Sequence, residues 1–542
     1  MKKTIRALSV LLSVLAIASV SLSGCAGSTS GTSSKKAEVK PSTLNYAIQS
    51  DIVSLDPAFA YDSNTAPVVV QIVEGLLAYD SNNKLVNVIA KDWKAVDSKT
   101  YVYDIRDDVK FSDGSQLSAD DVVFSMTRTK DPKTASSESW MYANVSSITK
   151  TGPWQVTVKL SNPDSTWQYV PATTGGLIIS QKYFEAHKSN FGKPDGGVLG
   201  TGPYVFEKWT TGSEIDLERN ANYWNKAVVN NGINSIKFKV ISEPATLLTA
   251  LKTGQIDMTQ TTSDSIDQTK SYNNVNTLLN DGYESTELAF NNQRAPFNDV
   301  NVRRAVSSAI DSVSINKNIT KYDIEANALP FNTPVASFNT DSWVKFGQTA
   351  PYYKYDMQKA KQFLAQSKYA KGFDCDILVC AGSSSANASA LAIQQSLKEL
   401  NINLSIKKYP EGDFVAYAYG SKTDKNGKRD YDMMLWTWLS DWPDPAGYLV
   451  PLYSSANIGQ GGANYAAYSN PEFDKLLDEQ NQTLDSTKRT ELLQKAVSIA
   501  NEDAAYSVLS YPKDIFILNK KFSYKLSSSW FYNLYVKDFQ VN

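Results

Sequence analysis

An alternation runs the length of this chain and constrains its fold more than any other feature. Short runs of β-branched, aromatic or alternating residues recur: TLNYAI (43–48), TYVYDIR (100–106), WQVTVKL (154–160), SIKFKVI (235–241), CDILVC (375–380) and INLSIKKY (402–409). Such runs suit the pleated surface of a sheet. Between them lie segments with apolar residues at helical spacing. In TLLTALKTG (246–254), Leu247, Leu248 and Leu251 share a face, and Gly254 supplies the stop. In RTELLQKAVSIANEDA (489–504), Leu492, Leu493, Ala496, Val497 and Ala500 repeat in the same way. Strands alternating with helices predict an α/β protein. The spacing is irregular, so no internal repeat emerges. The chain has 542 residues, and single cores stop growing near roughly 250–300 residues. At least two cores are therefore expected.

The N-terminus predicts the compartment. Lys2, Lys3 and Arg6 precede an apolar run from Ala7 to Val20, and Leu22-Ser23-Gly24-Cys25 follows. This is the layout of a secretory signal, and the run is too short to read as a membrane span. Its ending resembles a bacterial lipobox, in which the Cys25 sulfur is acylated after cleavage before it. Residues 1–24 are thus expected to be a lipoprotein signal peptide. Residues 25–42, small and polar, are expected to be a flexible tether. The mature protein would be soluble in itself, held at the membrane by lipid on Cys25.

Several classes of function are disfavoured by composition. The formal net charge is −2; without residues 1–24, which carry three basic residues and no acidic one, it becomes −5. That mild acidity leaves no electrostatic footprint for nucleic acid. The single His187, in QKYFEAHKSNFG, makes a His-based zinc or nickel cage and a His-dependent catalytic set improbable. Cys375 and Cys380 are five apart in a strand pattern, so they face opposite sides and read as buried apolar residues. AGSSSANAS (381–389) lacks a nucleophile elbow, and Gly200-Thr201-Gly202 is followed by proline, not by a phosphate-binding helix. No catalytic residue, metal ligand or cofactor site is expected. KTDKNGKRD (422–430) reads as a solvated loop.

Five segments taken together resemble the extracytoplasmic solute-binding proteins of family 5, the peptide/nickel class that serves ABC importers. The first is IAKDWKAVDSKTYVYDIRDDVKFSDGSQLSADDVVFSMTR (89–128), where Trp93, Tyr103, Arg106, Phe111, Asp113, Gly114, Leu117, Ala119, Asp121, Val122 and Arg128 fit the family pattern. The others are GTGPYVFEKWTTGSEIDLERNANYW (200–224), LLTALKTGQIDM (247–258), FNNQRAPFNDVNVRRAVSSAID (290–311) and DWPDPAGYLVPLYSSANIGQGGANYAAYSNPEFDKLL (441–477). Most of these residues read as structural. Asp113-Gly114 suits a turn, and Ser118 caps a helix whose first turn carries Asp120 and Asp121. Arg303 and Arg304 are expected on a helix surface or as braces.

The resemblance implies a two-lobed periplasmic-binding-protein-like fold, type II, cluster C, with a subdomain inserted in the first lobe. Lobe I would comprise residues 43–78, 199–285 and 512–542, the insert 79–198, and lobe II 286–511. Crossings would fall near YESTELAFNN (283–292) and LSYPKDIFI (509–517). It also implies a monomeric receptor, not an enzyme, that binds short peptides and presents them to the permease subunits of an importer.

The stretch WTWLSDWPDP (436–445) then acquires a role. By resemblance, Asp441 pairs with a peptide's α-ammonium, and Trp438 lines a ligand pocket. Thr437, Leu439 and Ser440 would offer extended backbone to the peptide as an added strand. The residues alone leave open whether Asp441 meets a ligand or caps the turn before Pro443. They leave Trp436 between core and ligand, and Trp442 undecided, while Asp444 reads as structural. Further ligand-facing candidates are Asn64, Thr65 and Ala66, and Asn464, which would either face the cleft or brace its loop. An oligosaccharide is the alternative ligand, since three indoles could stack on sugar faces, and a nickel chelate is a more distant one.

Overall fold

A computed structural model describes residues 42–228 and 231–542. The signal, the tether and Cys25 lie outside the described residues. Strands and helices alternate throughout, as the sequence pattern predicts.

Three larger sheets organise the described chain. The first has seven strands, in the order Val275–Asp281, Lys513–Asn519, Met258–Gln260, Ser42–Ile48, Ile233–Val240, Glu214–Arg219 and Tyr204–Thr210. Ser42–Ile48 runs parallel to both of its neighbours. Helix Pro244–Thr253 makes the return between Ile233–Val240 and Met258–Gln260, the crossover that parallel strands require. Gly254 ends that helix at φ +73°, a left-handed conformation that glycine adopts without a Cβ clash. Leu44, Tyr46, Phe238 and Phe516 belong to this sheet's core.

The second sheet has six strands: Ile324–Glu325, Tyr506–Tyr511, Glu284–Phe290, Met433–Leu439, Phe373–Cys380 and Ile402–Tyr409. Cores cover both of its faces. Leu288, Phe290, Met433 and Leu435 point to one, while Ala289 and Met434 point to the other. The alternation is the period of two expected of strands. Cys375 is buried, and both it and Cys380 are free thiols.

The third sheet is antiparallel, ordered Ala90–Asp97, Thr100–Ile105, Gln155–Leu160 and Val145–Gly152. Helix Ala119–Lys130 packs on it, held at its start by a reciprocal cap. The Asp121 backbone N–H donates to Ser118 Oγ at 3.3 Å, and the Ser118 N–H donates to Asp121 Oδ2 at 2.9 Å.

The chain passes between the first two sheets twice, at Gly282–Tyr283 and at Pro512. Side chains also bridge the elements around them. Ser384 Oγ donates to Asp264 Oδ2 at 3.1 Å, and Tyr322 and Lys321 both reach the Asp267 carboxylate. Arg303 is a brace: it is buried, and its guanidinium donates to the carbonyls of Phe297, Asp503 and Ala504. Arg304 donates to the Glu502 carbonyl. One expectation needs correction within KTDKNGKRD. Arg429 is buried rather than solvated, because its guanidinium satisfies carbonyls of Tyr417, Ala418 and Gly462 at once.

Candidate functional site

Strand Met433–Leu439 runs beyond the core that buries its first half. Met433 and Leu435 are buried on one face, and Thr437 and Leu439 continue that face exposed. The other face carries Met434, then Trp436 and Trp438, both half-buried. One edge of the strand pairs along its whole length with Glu284–Phe290. The other edge meets Phe373–Cys380 only at Met433 and Met434. From Leu435 to Leu439 that second edge has no strand beside it among the described residues. Backbone N–H and C=O groups on a free edge are a template for another extended chain.

Asp441 stands just past the end of this strand. It lines a cavity of about 290 Å³ together with Tyr61, Tyr419, Trp436, Trp438 and Tyr532. Its Oδ1 accepts from the hydroxyls of Tyr61 at 2.5 Å and Tyr532 at 3.1 Å. Its Oδ2 has no partner among the described residues, and no lysine or arginine there pairs with it. Burial pushes the carboxyl up to about 6, against the pull of the two hydroxyl donors. The side chain accepts no backbone N–H, so it caps no turn.

Asp444 does what Asp441 does not. It is 0 % exposed, and Arg489 clamps it at 2.6 and 2.7 Å through two nitrogens. Its Oδ1 also accepts the Ala446 N–H at 2.8 Å. Arg489 is held from its other side by Gln480 Oε1 at 2.8 Å. This is a structural ion pair at the start of helix Ala446–Tyr453.

The indoles divide by neighbour. Trp436 stacks on Phe414, with ring centroids 5.1 Å apart, and leans on Tyr465 at 5.3 Å. Trp438 meets the same Tyr465 edge-on at 6.1 Å. Trp442 is buried and packs on Trp140 at 5.6 Å, against the core of the third sheet. Gly447 sits beneath it, where a Cβ would come within 2.5 Å of the indole ring. The indole N–H groups of all three lack a hydrogen-bond partner among the described residues.

Thr437, Leu439 and Ser440 line the cavity with Asp441, whereas Asn64, Thr65, Ala66 and Asn464 stand apart from its wall. Thr65 and Ala66 are both 0 % exposed. Thr65 Oγ1 accepts the Val53 N–H at 3.0 Å, which makes it a brace of the loop. Asn64 bonds to the Gln49 N–H and to Ser50 Oγ. From the same loop, Tyr61 and Asp62 line the cavity instead. The turn accounts for this: Asp62 Oδ1 accepts the N–H groups of Asn64 and Thr65, and Thr65 and Ala66 turn inward while Asn64 stays half-exposed. Asn464 is 0 % exposed and spends its amide on Ser454 and Tyr468 backbone atoms, so it braces its loop.

Sequence reasoning missed Tyr61 and Tyr532. They lie 380 and 91 residues from Asp441, and no local pattern links them to it. A signal for the second was present in SSSWFYNLY (527–535), another concentration of aromatics among small polar residues.

Residues 84–460 match the model of the bacterial extracellular solute-binding proteins, family 5 Middle. The chain belongs to this family. Among curated relatives, a probable D,D-dipeptide-binding periplasmic protein, DdpA of Escherichia coli (strain K12), is 28% identical over 486 residues, covering 87% of this chain and 89% of that one. The oligopeptide-binding protein OppA of Bacillus subtilis (strain 168) is 26% identical over 543 residues, covering 94% of each. Among solved structures, HbpA2 from Haemophilus parasuis superposes with a TM-score of 0.79 at 24% identity, over 92% of this chain and 100% of that one. The two-lobed α/β fold of family 5 is therefore the fold of this chain. The family's members are receptors for solutes. Among the described residues no cluster of His, Cys, Asp and Glu could hold a metal ion, and no helix is long and apolar enough to cross a membrane.

Proposed function

We propose that this family 5 protein is a lipid-anchored extracytoplasmic receptor that binds short peptides between two lobes and delivers them to an ABC importer. The lobes are residues 43–78 with 199–285 and 512–542, and 286–511, with 79–198 as the insert. One observation carries the reading: a carboxylate with hydroxyl donors but no cation stands at the end of a strand whose free edge begins at Leu435. An α-ammonium supplies the missing positive charge at Asp441. The charge-assisted bond gains strength because the cavity screens it poorly. The free edge pairs with the peptide backbone, which gives affinity without reading side chains. The names of the two curated relatives agree with a peptide ligand. The sugar reading loses support at Trp436, where Phe414 already stacks on the indole.

Mass spectrometry of molecules that co-purify with the protein, followed by calorimetry with the peptides found, tests this. Free peptides should bind and their N-acetylated forms should lose at least about tenfold in affinity, since acetylation removes the charge that Asp441 meets. Equal affinity for both forms would overturn the role given to Asp441. Co-purified sugars and no peptide binding would overturn the ligand class.

A further inference from the structure

A second cavity, of about 470 Å³, lies beyond the first, and Trp436 and Thr437 line both. Its chemistry is one-sided. Four carboxylates line it, Glu284, Asp323, Glu411 and Asp514, against the single cation Lys513. Lys513 is already paired with Asp281. Asp514 is 6 % exposed; its Oδ1 accepts the Trp530 indole N–H at 2.8 Å, and its Oδ2 has no partner among the described residues. Glu284 has no side-chain partner there either, while the Asp323 carboxylate meets hydroxyls, accepting from Ser510 Oγ at 2.7 Å.

Glu284 stands on the strand that pairs with Met433–Leu439, and Leu435, Trp436 and Thr437 of the latter strand line the same cavity. Glu284 and Thr286 pair with Leu439 and Thr437 across the ladder, so all four project from one sheet face. The Thr286 and Thr437 hydroxyls touch at 2.9 Å. Burial pushes Glu284 up to about 7, with repulsion from Asp323 adding to it; burial raises Asp514, with repulsion from Glu284 adding to it, and burial raises Asp323. An excess of carboxylates over cations in one cavity disfavours anions and draws cations. The volume is far beyond that of an ion, and no three of these groups converge as metal ligands. The cation that fits is an organic one on a long stem.

We infer that this second cavity is a subsite for a basic side chain, lysine or arginine, carried by the bound peptide. The inference rests on the peptide reading above. A strand advances about 3.3 Å per residue, so the four steps from Asp441 to Thr437 span about 13 Å. The basic residue therefore lies about three to five places along an extended ligand whose ammonium is at Asp441.

Pentapeptides test this: penta-alanine, and variants with lysine, norleucine or glutamate at the third, fourth or fifth place. Lysine at one of these places should bind about tenfold or more tighter than norleucine, as a charge-assisted contact predicts, and glutamate should bind more weakly than either. Glu284→Gln should erase the lysine preference and leave penta-alanine affinity unchanged. Asp323→Asn provides the same readout should the first variant fail to fold. Equal binding of lysine and norleucine at all three places, with penta-alanine still bound, would overturn the subsite alone. Failure of every pentapeptide to bind would overturn the subsite together with the peptide reading.

Discussion

Asp441 and Asp444 are three residues apart and chemically identical, yet the fold gives them opposite surroundings. Asp444 has a full complement of partners: a bidentate guanidinium, a backbone N–H, and no exposure. Asp441 has two phenols and no cation, beside a cavity. A carboxylate whose charge is met from within contributes to holding the chain together. A carboxylate left short of positive charge is unsatisfied until something else arrives. Proximity in sequence thus says little about role, and the identity of the neutralising partner says nearly everything.

The largest expected effect breaks the satisfied side of this comparison. Arg489→Ala leaves Asp444 charged and buried without its partner, which should cost about 3–5 kcal/mol of stability in urea unfolding. A loss below about 1 kcal/mol would show that Asp444 is no structural clamp. Asp441→Asn should do the reverse. Peptide affinity should fall roughly 30- to 150-fold, the value of about 2–3 kcal/mol for a lost charged contact, with no loss of stability. The native state holds a proton on Asp441 up to about pH 6 that the unfolded chain releases near the usual carboxylate value. Its ionisation therefore weakens the fold as pH rises through that window, and asparagine removes the penalty.

The pH dependence of binding sharpens the comparison further. The ammonium needs an ionised Asp441, so affinity should fall about tenfold per pH unit below about 6 and level off above it. Calorimetry from pH 5 to 8 reads this, and Asp441→Asn should flatten the profile. A slope that survives in that variant would assign the titration to another group. The smallest effect belongs to Tyr532→Phe. Losing one hydroxyl donor should weaken binding about fivefold and move the midpoint of the pH profile upward, because the carboxylate loses a stabilising bond. An unchanged midpoint would mean that Tyr532 only fills space.

Local rules made much of the fold legible. Ser118 and Asp121 announce their helix start, Gly254 its helix end, and the alternation in CDILVC its strand. Each depends on residues within a few positions of one another. The family motifs carried the fold class for the same reason, since most of their residues serve caps, turns and packing. The surroundings of Asp441 were a different matter. Its hydroxyl donors come from a loop near the start of the described chain and a four-residue helix near its end. Nothing in the spacing of Tyr61, Asp441 and Tyr532 could join them before the sheets were assembled. Thr65 and Ala66 show the converse. They neighbour a cavity residue in sequence but turn inward, because Asp62 organises the loop around its own carboxylate.

The strand order of the first sheet has a consequence for how the chain matures. Val275–Asp281 touches that sheet only through Lys513–Asn519, whereas every strand of the six-stranded sheet lies between Glu284 and Tyr511. A chain that emerges N-terminus first can finish the six-stranded sheet while the seven-stranded one still waits for its last long strand. That same final stretch brings Tyr532 to Asp441. A copy cut short before Lys513 therefore loses a sheet edge and a wall of the cavity in one stroke.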